Sequence, residues 1–254
     1  MSKYILGNGG FAQEVFEQIL ATDNDFGGFI ILKDEIAYVI GDEGVTKFSY
    51  PEDASFILGT GNKQWRRKFI SHFIERYEAS INYFPNVYAR YAHLSLMSSM
   101  GIGNVFCNFS MLNANASIGD FNCLNIYSSV NHDCKVGDNN VLSPYSSLMG
   151  YCKVGNENFL GVNTHITPKC SLGNENTLSA GEVLFDDMDA VGRTIKIQNR
   201  KFYVIAVMEK QGENILNAPS NDTNVFIPVG AFAKIFKLQG RRGTMPRIAV
   251  KGFE

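Results

Sequence analysis

Several things are scarce in this 254-residue chain, and each scarcity removes a class of function. Neither sign of charge dominates, with 23 Lys+Arg against 25 Asp+Glu, so the chain has no basic footprint for nucleic acid or an anionic membrane surface. No apolar run approaches the ~20 residues of a membrane-spanning helix. The opening run, residues 1–7, is broken too early for a secretory leader, and the expected location is cytoplasmic. The five cysteines are odd in number and none stands in a Cys-x-x-Cys spacing, which speaks against a disulfide framework and a structural zinc site. Histidine is also sparse: of four, His132 and His165 alone fall in the repeats described next, too few for a three-histidine zinc centre. Small-molecule chemistry without a metal is the class left standing.

What is abundant is a period of six. Counting in sixes from Ile118 gives Leu124, Val130, Val136, Leu142, Leu148, Val154, Leu160, Ile166, Leu172, Leu178 and Leu184, and Leu112 and Phe106 extend the row backwards. The position two before each member is small or amide-bearing, as in Ala116, Asn122, Ser128 and Cys134, and Glu182 alone departs. Ile118-Gly119, Val136-Gly137, Val154-Gly155 and Leu172-Gly173 recur at intervals of 18, as do Cys134, Cys152 and Cys170. A helix repeats at 3.6 and a half-exposed strand at 2. Six within eighteen describes a triangular coil with three short parallel strands per turn, and coils about 4.8 Å apart stack equivalent residues in ladders. The aliphatic row fills the prism, the small residues take its corners, and the glycines suit turns where φ is positive. The expected fold is a left-handed parallel β-helix over residues 86–189.

Residues 1–85 read as a small Rossmann-like α/β domain. A short buried strand runs into Gly7-Asn8-Gly9-Gly10-Phe11 and then a helical pattern through Val15, Ile19 and Leu20. Further strands are expected over 29–32, 38–40 and 56–58, and a second helix over 63–77. Glycine loops at strand ends let backbone amides approach a phosphate, and Gly59-Thr60-Gly61-Asn62 would share that edge. The bland alternative is a pair of tight turns with no ligand. No acidic residue ends the second strand, with Asp34 the nearest, so a nicotinamide dinucleotide is disfavoured.

The hexads resemble the hexapeptide-repeat acyltransferases. Together with the Gly-x-Gly-Gly-Phe-Ala-x-Glu-Val opening, the chain is similar to bacterial sugar O- and N-acyltransferases of the sialic acid O-acetyltransferase type. That resemblance implies a homotrimer using acetyl-CoA, bound between neighbouring prisms, to acetylate an amino or hydroxyl group of a sugar, often nucleotide-linked and destined for surface glycans. By itself, an exposed His beside an Asp is most simply a solvated pair. The resemblance implies instead that His132, before Asp133 and Cys134-Lys135-Val136-Gly137, is the catalytic base and Asp133 its acidic helper. Histidine's ordinary value near 6.5 suits a base working at neutral pH. It further implies that the Gly150 amide meets the thioester carbonyl, that Val162 and Ala180 line the pantetheine arm, and that Gly7, Asn8, Gly9, Gly10, Phe11, Gly59, Gly61 and Asn62 hold the acceptor. Phe11 stands where many relatives carry His. The competing reading is a non-catalytic scaffold that binds a sugar nucleotide or a protein.

Residues 190–254 abandon the hexads. Two strands joined by a polar turn are expected over 194–207, then a loop, a strand at 225–228, a short helix at 231–236 and a last strand at 247–250. This small β-rich or α+β extension resembles, over about sixty residues, the extracytoplasmic core of macrolide-export-type ABC permeases, without any membrane helix.

Overall fold

The computed structural model describes residues 1–20, 25–41, 44–184, 194–197 and 200–203. Residues 1–184 form one compact unit and the residues after them a second.

The prism is built from two-residue strands running from β6 (Val87–Tyr88) to β22 (Val183–Leu184), stacked in parallel on three faces of six, six and five strands. This is the parallel solenoid that the six-within-eighteen period requires. In each strand the second residue points inward and the first outward. The inward row from Phe106 to Leu172 is 0–6% exposed and forms one continuous core, and Leu178 and Leu184 pack against its open end. The first face carries Val87, Val105, Cys123 and Val141 outward. The second carries His93, Met111, Ser129, Ser147, His165 and Val183. The third carries Ser99, Ser117, Lys135, Lys153 and Ser171.

The corners correct one expectation. Positive φ falls on residues such as Phe121, Asn139, Asp133 and Tyr127, and not on the glycines that recur every 18 residues. Those glycines serve close approach: a Cβ on Gly119 would lie 3.0 Å from the Gly137 backbone of the next coil. The space they free holds a ladder in which the Asp120 amide donates to Asp138 Oδ1 at 2.8 Å and the Asp138 amide to Asn156 Oδ1 at 2.8 Å. Buried Asn104, Asn122, Asn140 and Asn158 form a second ladder, each side chain accepting from the amide one coil on. Polar corners are thereby satisfied inside an apolar prism. All five cysteines are buried and none forms a disulfide.

The N-terminal sheet contains β1 (Ser2–Leu6), β2 (Phe26–Lys33), β3 (Ile36–Gly41), β4 (Gly44–Lys47) and β5 (Ala54–Leu58) in the order β4-β3-β2-β1-β5. β1 is parallel to β2 and β5, but β2-β3 and β3-β4 are antiparallel. The sheet is therefore mixed rather than Rossmann-like. The cause is local: Asp34 and Glu35 both take left-handed φ, 49° and 61°, the signature of a two-residue hairpin that sends β2 straight back without a crossover helix. Asp34 sits at that hairpin tip. Helix α1 is short (Gly10–Val15) and continues as one π-helical stretch, Phe16–Leu20. Helix α2 spans Lys63–Ile74, three residues less than expected.

This sheet and its helices cover the first face of the prism. Val87, Val105 and Cys107 share a core with Ile5, Ala12, Val15 and Ile57, while Phe84 and Phe121 share another with Leu6, Phe56 and Phe73. That contact is why the first face is apolar on its outside from Val87 to Val141, as it is on its inside, and burial pushes the Cys123 thiol up to about 11.

In the second unit, β23 (Thr194–Ile197) pairs antiparallel with β24 (Arg200–Tyr203), as the sequence predicts. The expected strands at 225–228 and 247–250, the helix at 231–236 and the permease-like resemblance that rests on them lie outside the described residues.

Candidate active site

His132 stands on the second corner, where the chain passes from the second face to the third. Adjacent side chains on a strand point to opposite faces, but this is a turn: Asp133 has φ 60°, a left-handed conformation that Asp tolerates. The turn swings its carboxylate back, and His132 Nδ1 lies 2.9 Å from Asp133 Oδ2. Asn115, one coil earlier, donates to Asp133 Oδ1 at 3.2 Å, and the Tyr151 ring, one coil later, meets the imidazole edge-on at 5.2 Å. The bond to His132, reinforced by Asn115 and opposed by a desolvation cost, holds the Asp133 carboxyl below the usual carboxylate range. Asp133 is thus an acceptor, and it selects the neutral tautomer in which Nδ1 carries the proton and Nε2 the lone pair. The imidazole is 56% exposed.

Gly150 follows His132 by one coil, and the ring lies over it. A Cβ there would stand 2.7 Å from Nε2, so any larger residue would displace the imidazole. Among the described residues nothing accepts from the Gly150 amide. An imidazole nitrogen and a backbone N–H that has no acceptor among the described residues therefore lie one coil apart on the same corner, the two kinds of group needed by a reaction that removes a proton and develops charge on an oxygen.

Val162 and Ala180 occupy the first corner, between the first and second faces. Val162 is 47% exposed, and its carbonyl accepts from Gly181 at 2.8 Å. One chain therefore joins His132, Asp133 and Gly150 on one corner and places Val162 and Ala180 on the next, across the second face.

The glycine loops lie side by side at the ends of β1 and β5. The Gly59 amide donates to Leu6 O at 3.0 Å, and a Cβ on Gly7, whose φ is 120°, would lie 3.1 Å from Gly59 O. Gly59 is pressed against Ile5 and Ala12, whereas a Cβ on Gly9 or Gly10 would meet nothing within 4 Å. Packing thus explains Gly7 and Gly59 but leaves the Gly9-Gly10 surface open, beside exposed Asn8. Phe11 packs its side chain against the Ile5–Val105 core. Asn62 caps α2, its Oδ1 accepting from the Trp65 amide at 3.1 Å, and Gly61 lies 3.9 Å from Val141 by its Cβ position. These loops belong to the first-face side of the prism, opposite His132.

The remaining histidines are accounted for differently. His72 is 2.7 Å from the Tyr50 hydroxyl, and His93 is exposed at the start of the second face. His165 is half-buried rather than solvated, with Nε2 on Asn163 at 3.2 Å and Nδ1 enclosed without a partner. Among the described residues no three His, Cys, Asp or Glu converge as a metal-ligand set, and no helix is long and apolar enough to cross a membrane. Sequence reasoning missed Asn115 and Tyr151. Their signal was available, since they stand 18 residues before and after Asp133.

No family model and no curated protein sequence matches the chain. Solved structures do share its fold. The acetyltransferase domain of PglB from Neisseria gonorrhoeae FA1090 is 21% identical, covering 72% of this chain and 90% of that one, with a TM-score of 0.58. PerB from Caulobacter crescentus, in complex with CoA and GDP-perosamine, is 24% identical over 73% and 91%, with a TM-score of 0.60. WeeI from Acinetobacter baumannii AYE is 20% identical over 72% and 94%, with a TM-score of 0.55.

Proposed function

We propose that this chain is an acetyl-CoA-dependent acetyltransferase acting on the amino group of a nucleotide-linked sugar, in the cytoplasmic stage of surface-glycan synthesis. The observation that carries this reading is the His132–Asp133 pair resting against Gly150. The fold neighbours support it, since one is described with acetyl coenzyme A and another as a GDP-perosamine N-acetyl transferase, and they favour an amine over a hydroxyl.

In this reading His132 Nε2 takes a proton from the sugar amine as its nitrogen attacks the thioester carbonyl. The Gly150 amide donates to the oxygen that gains charge. Collapse of the tetrahedral intermediate breaks the carbon–sulfur bond, and the proton on His132 returns to the departing thiolate or to water. Asp133 keeps the imidazole in the required tautomer throughout.

The open Gly9-Gly10 surface, with Asn8, Gly7, Phe11, Gly59, Gly61 and Asn62 around it, holds the acceptor in a domain of residues 1–85. Acetyl-CoA lies along the prism of residues 86–189, past Val162 and Ala180. Because these groups occupy different corners, we place the complete site between two chains of a homotrimer. Exposed apolar surface supports that assembly: Tyr91, Phe109, Tyr127 and Tyr145 stack at 4.9–5.3 Å on the first corner, and Leu96 and Met97 project from the second. Acceptance of the amine is tested by thiol release from acetyl-CoA with a panel of nucleotide-linked amino sugars that includes GDP-perosamine. His132→Ala is expected to lower kcat by about 10²–10⁴-fold while acetyl-CoA binding persists. Unchanged turnover would overturn the assignment.

A further inference from the structure

We infer that Arg66 is a positioning residue for the acceptor: from within the contact between α2 and the prism, its guanidinium holds the loop of residues 59–62 in register with the third corner. The inference rests on the acceptor role proposed for that loop. Arg66 is wholly buried, and its nitrogens reach three separate segments. Nη1 donates to Thr60 O at 2.8 Å, Nε donates to Asn139 Oδ1 at 2.8 Å, and Nη2 donates to Phe121 O.

Every one of these partners is a neutral oxygen, and burial pulls the guanidinium below its ordinary value. A buried charge is a costly way to fasten a helix, because apolar residues of similar volume usually serve stability as well. Phe69 and Phe73, three and seven residues on, already do so on the same face of α2. What Arg66 adds is direction. Its planar fork fixes the angles among three acceptors, which a lysine ammonium cannot reproduce.

The loop it holds is poised to matter. Gly59 lies against Gly7, and Thr60 supplies the carbonyl between Gly59 and Gly61, so a shift of the loop alters the edge on which Asn8, Gly9 and Gly10 sit. The exposed contacts of α2 lack this reach. Arg67 pairs with Glu157 and Glu175, and Lys63 donates to Glu175 O at 2.8 Å, but both reach the prism and not the carbonyls of residues 59–62.

The test uses the full-length protein, with Arg66→Lys and Asn139→Ala as variants and Arg67→Ala as the control. Steady-state kinetics are measured with acetyl-CoA and the amino-sugar panel, beside amide hydrogen exchange. Arg66→Lys is expected to raise the acceptor KM about tenfold, with kcat within about threefold and the acetyl-CoA KM unchanged. Exchange should quicken across residues 59–62 and not across the strand at Val141–Leu142. Asn139→Ala should move both readouts in the same direction by less, and it decides the matter if Arg66→Lys fails to fold. Arg67→Ala should leave both unchanged. Equal loss of kcat and acetyl-CoA affinity, or unaltered exchange at 59–62, would overturn the inference. If the wild type turns over no amino sugar, the functional proposal fails, and the exchange measurement still reports whether Arg66 holds the loop.

Discussion

The first face of the prism and its second corner are made by the same repeat, yet they end in opposite states. On the face, outward Val105 and Cys123 are as buried as the inward row, because the N-terminal sheet covers them. On the corner, His132 and Tyr151 remain more than half exposed. The proposed acceptor surface therefore rides on the side of the prism away from the proposed base. A single chain separates the two halves of the chemistry, and a neighbouring prism is the simplest way to reunite them.

The sharpest way to break this contrast is to place the same charge on both regions. Val105→Asp puts an unpaired carboxylate into the sealed face and is expected to cost at least about 3 kcal/mol, read as a collapse of soluble yield or of the denaturant midpoint. Tyr151→Asp, on the open corner, should change stability by less than about 1 kcal/mol in the same assay. Comparable losses from the two would mean that the corner is covered as fully as the face.

A smaller change probes the corner itself. Gly150→Ala adds one methyl group where the His132 ring now lies, so turnover should fall by about 10²-fold, comparable to loss of an oxyanion donor, while the thermal midpoint moves little. Retained turnover would show that the imidazole works from another position.

The corner was more legible in the sequence than the domain that covers the opposite face, and the reason is periodicity. Each inward Leu or Val of the prism repeats the same environment, so the row from Ile118 to Leu184 exposed its own period, whereas His132 and Gly150 were pointed to by the family resemblance and stand one 18-residue coil apart. The N-terminal domain has no repeat to average over. β4 is exposed along its whole length and carries no apolar pattern, and the β2-β3 hairpin turns on Asp34-Glu35 rather than the Asn-Gly or Asp-Gly pairs that announce such turns. The meeting of His132 with Asp133 depended on one left-handed residue, which strand alternation does not foresee. Arg66 was legible in retrospect as a cation at the same helical face as Phe69 and Phe73.

The smallest effect expected is a pH dependence on the covered side. Burial, with a contribution from Arg76, holds His72 below the ordinary histidine value. The unfolded chain then binds the proton more readily than the folded one below about pH 6.5, so stability falls as pH drops through that window. His72 is half-buried, and the drop in Tm between pH 7.5 and 5.5 should not exceed about 3 °C. His72→Gln should flatten it, and an unchanged slope would assign the dependence to other groups.

The central claim is that the site is completed between chains, and complementation tests it most directly. His132→Ala and Ala180→Trp, each inactive alone, are unfolded together in equal amounts and reassembled. If the base of one chain works with the first corner of its neighbour, random trimers carry both intact partners at about a quarter of their interfaces, and about a quarter of wild-type turnover should return. If the site lies within one chain, every chain keeps one lesion, and the mixture will be as inactive as its parts.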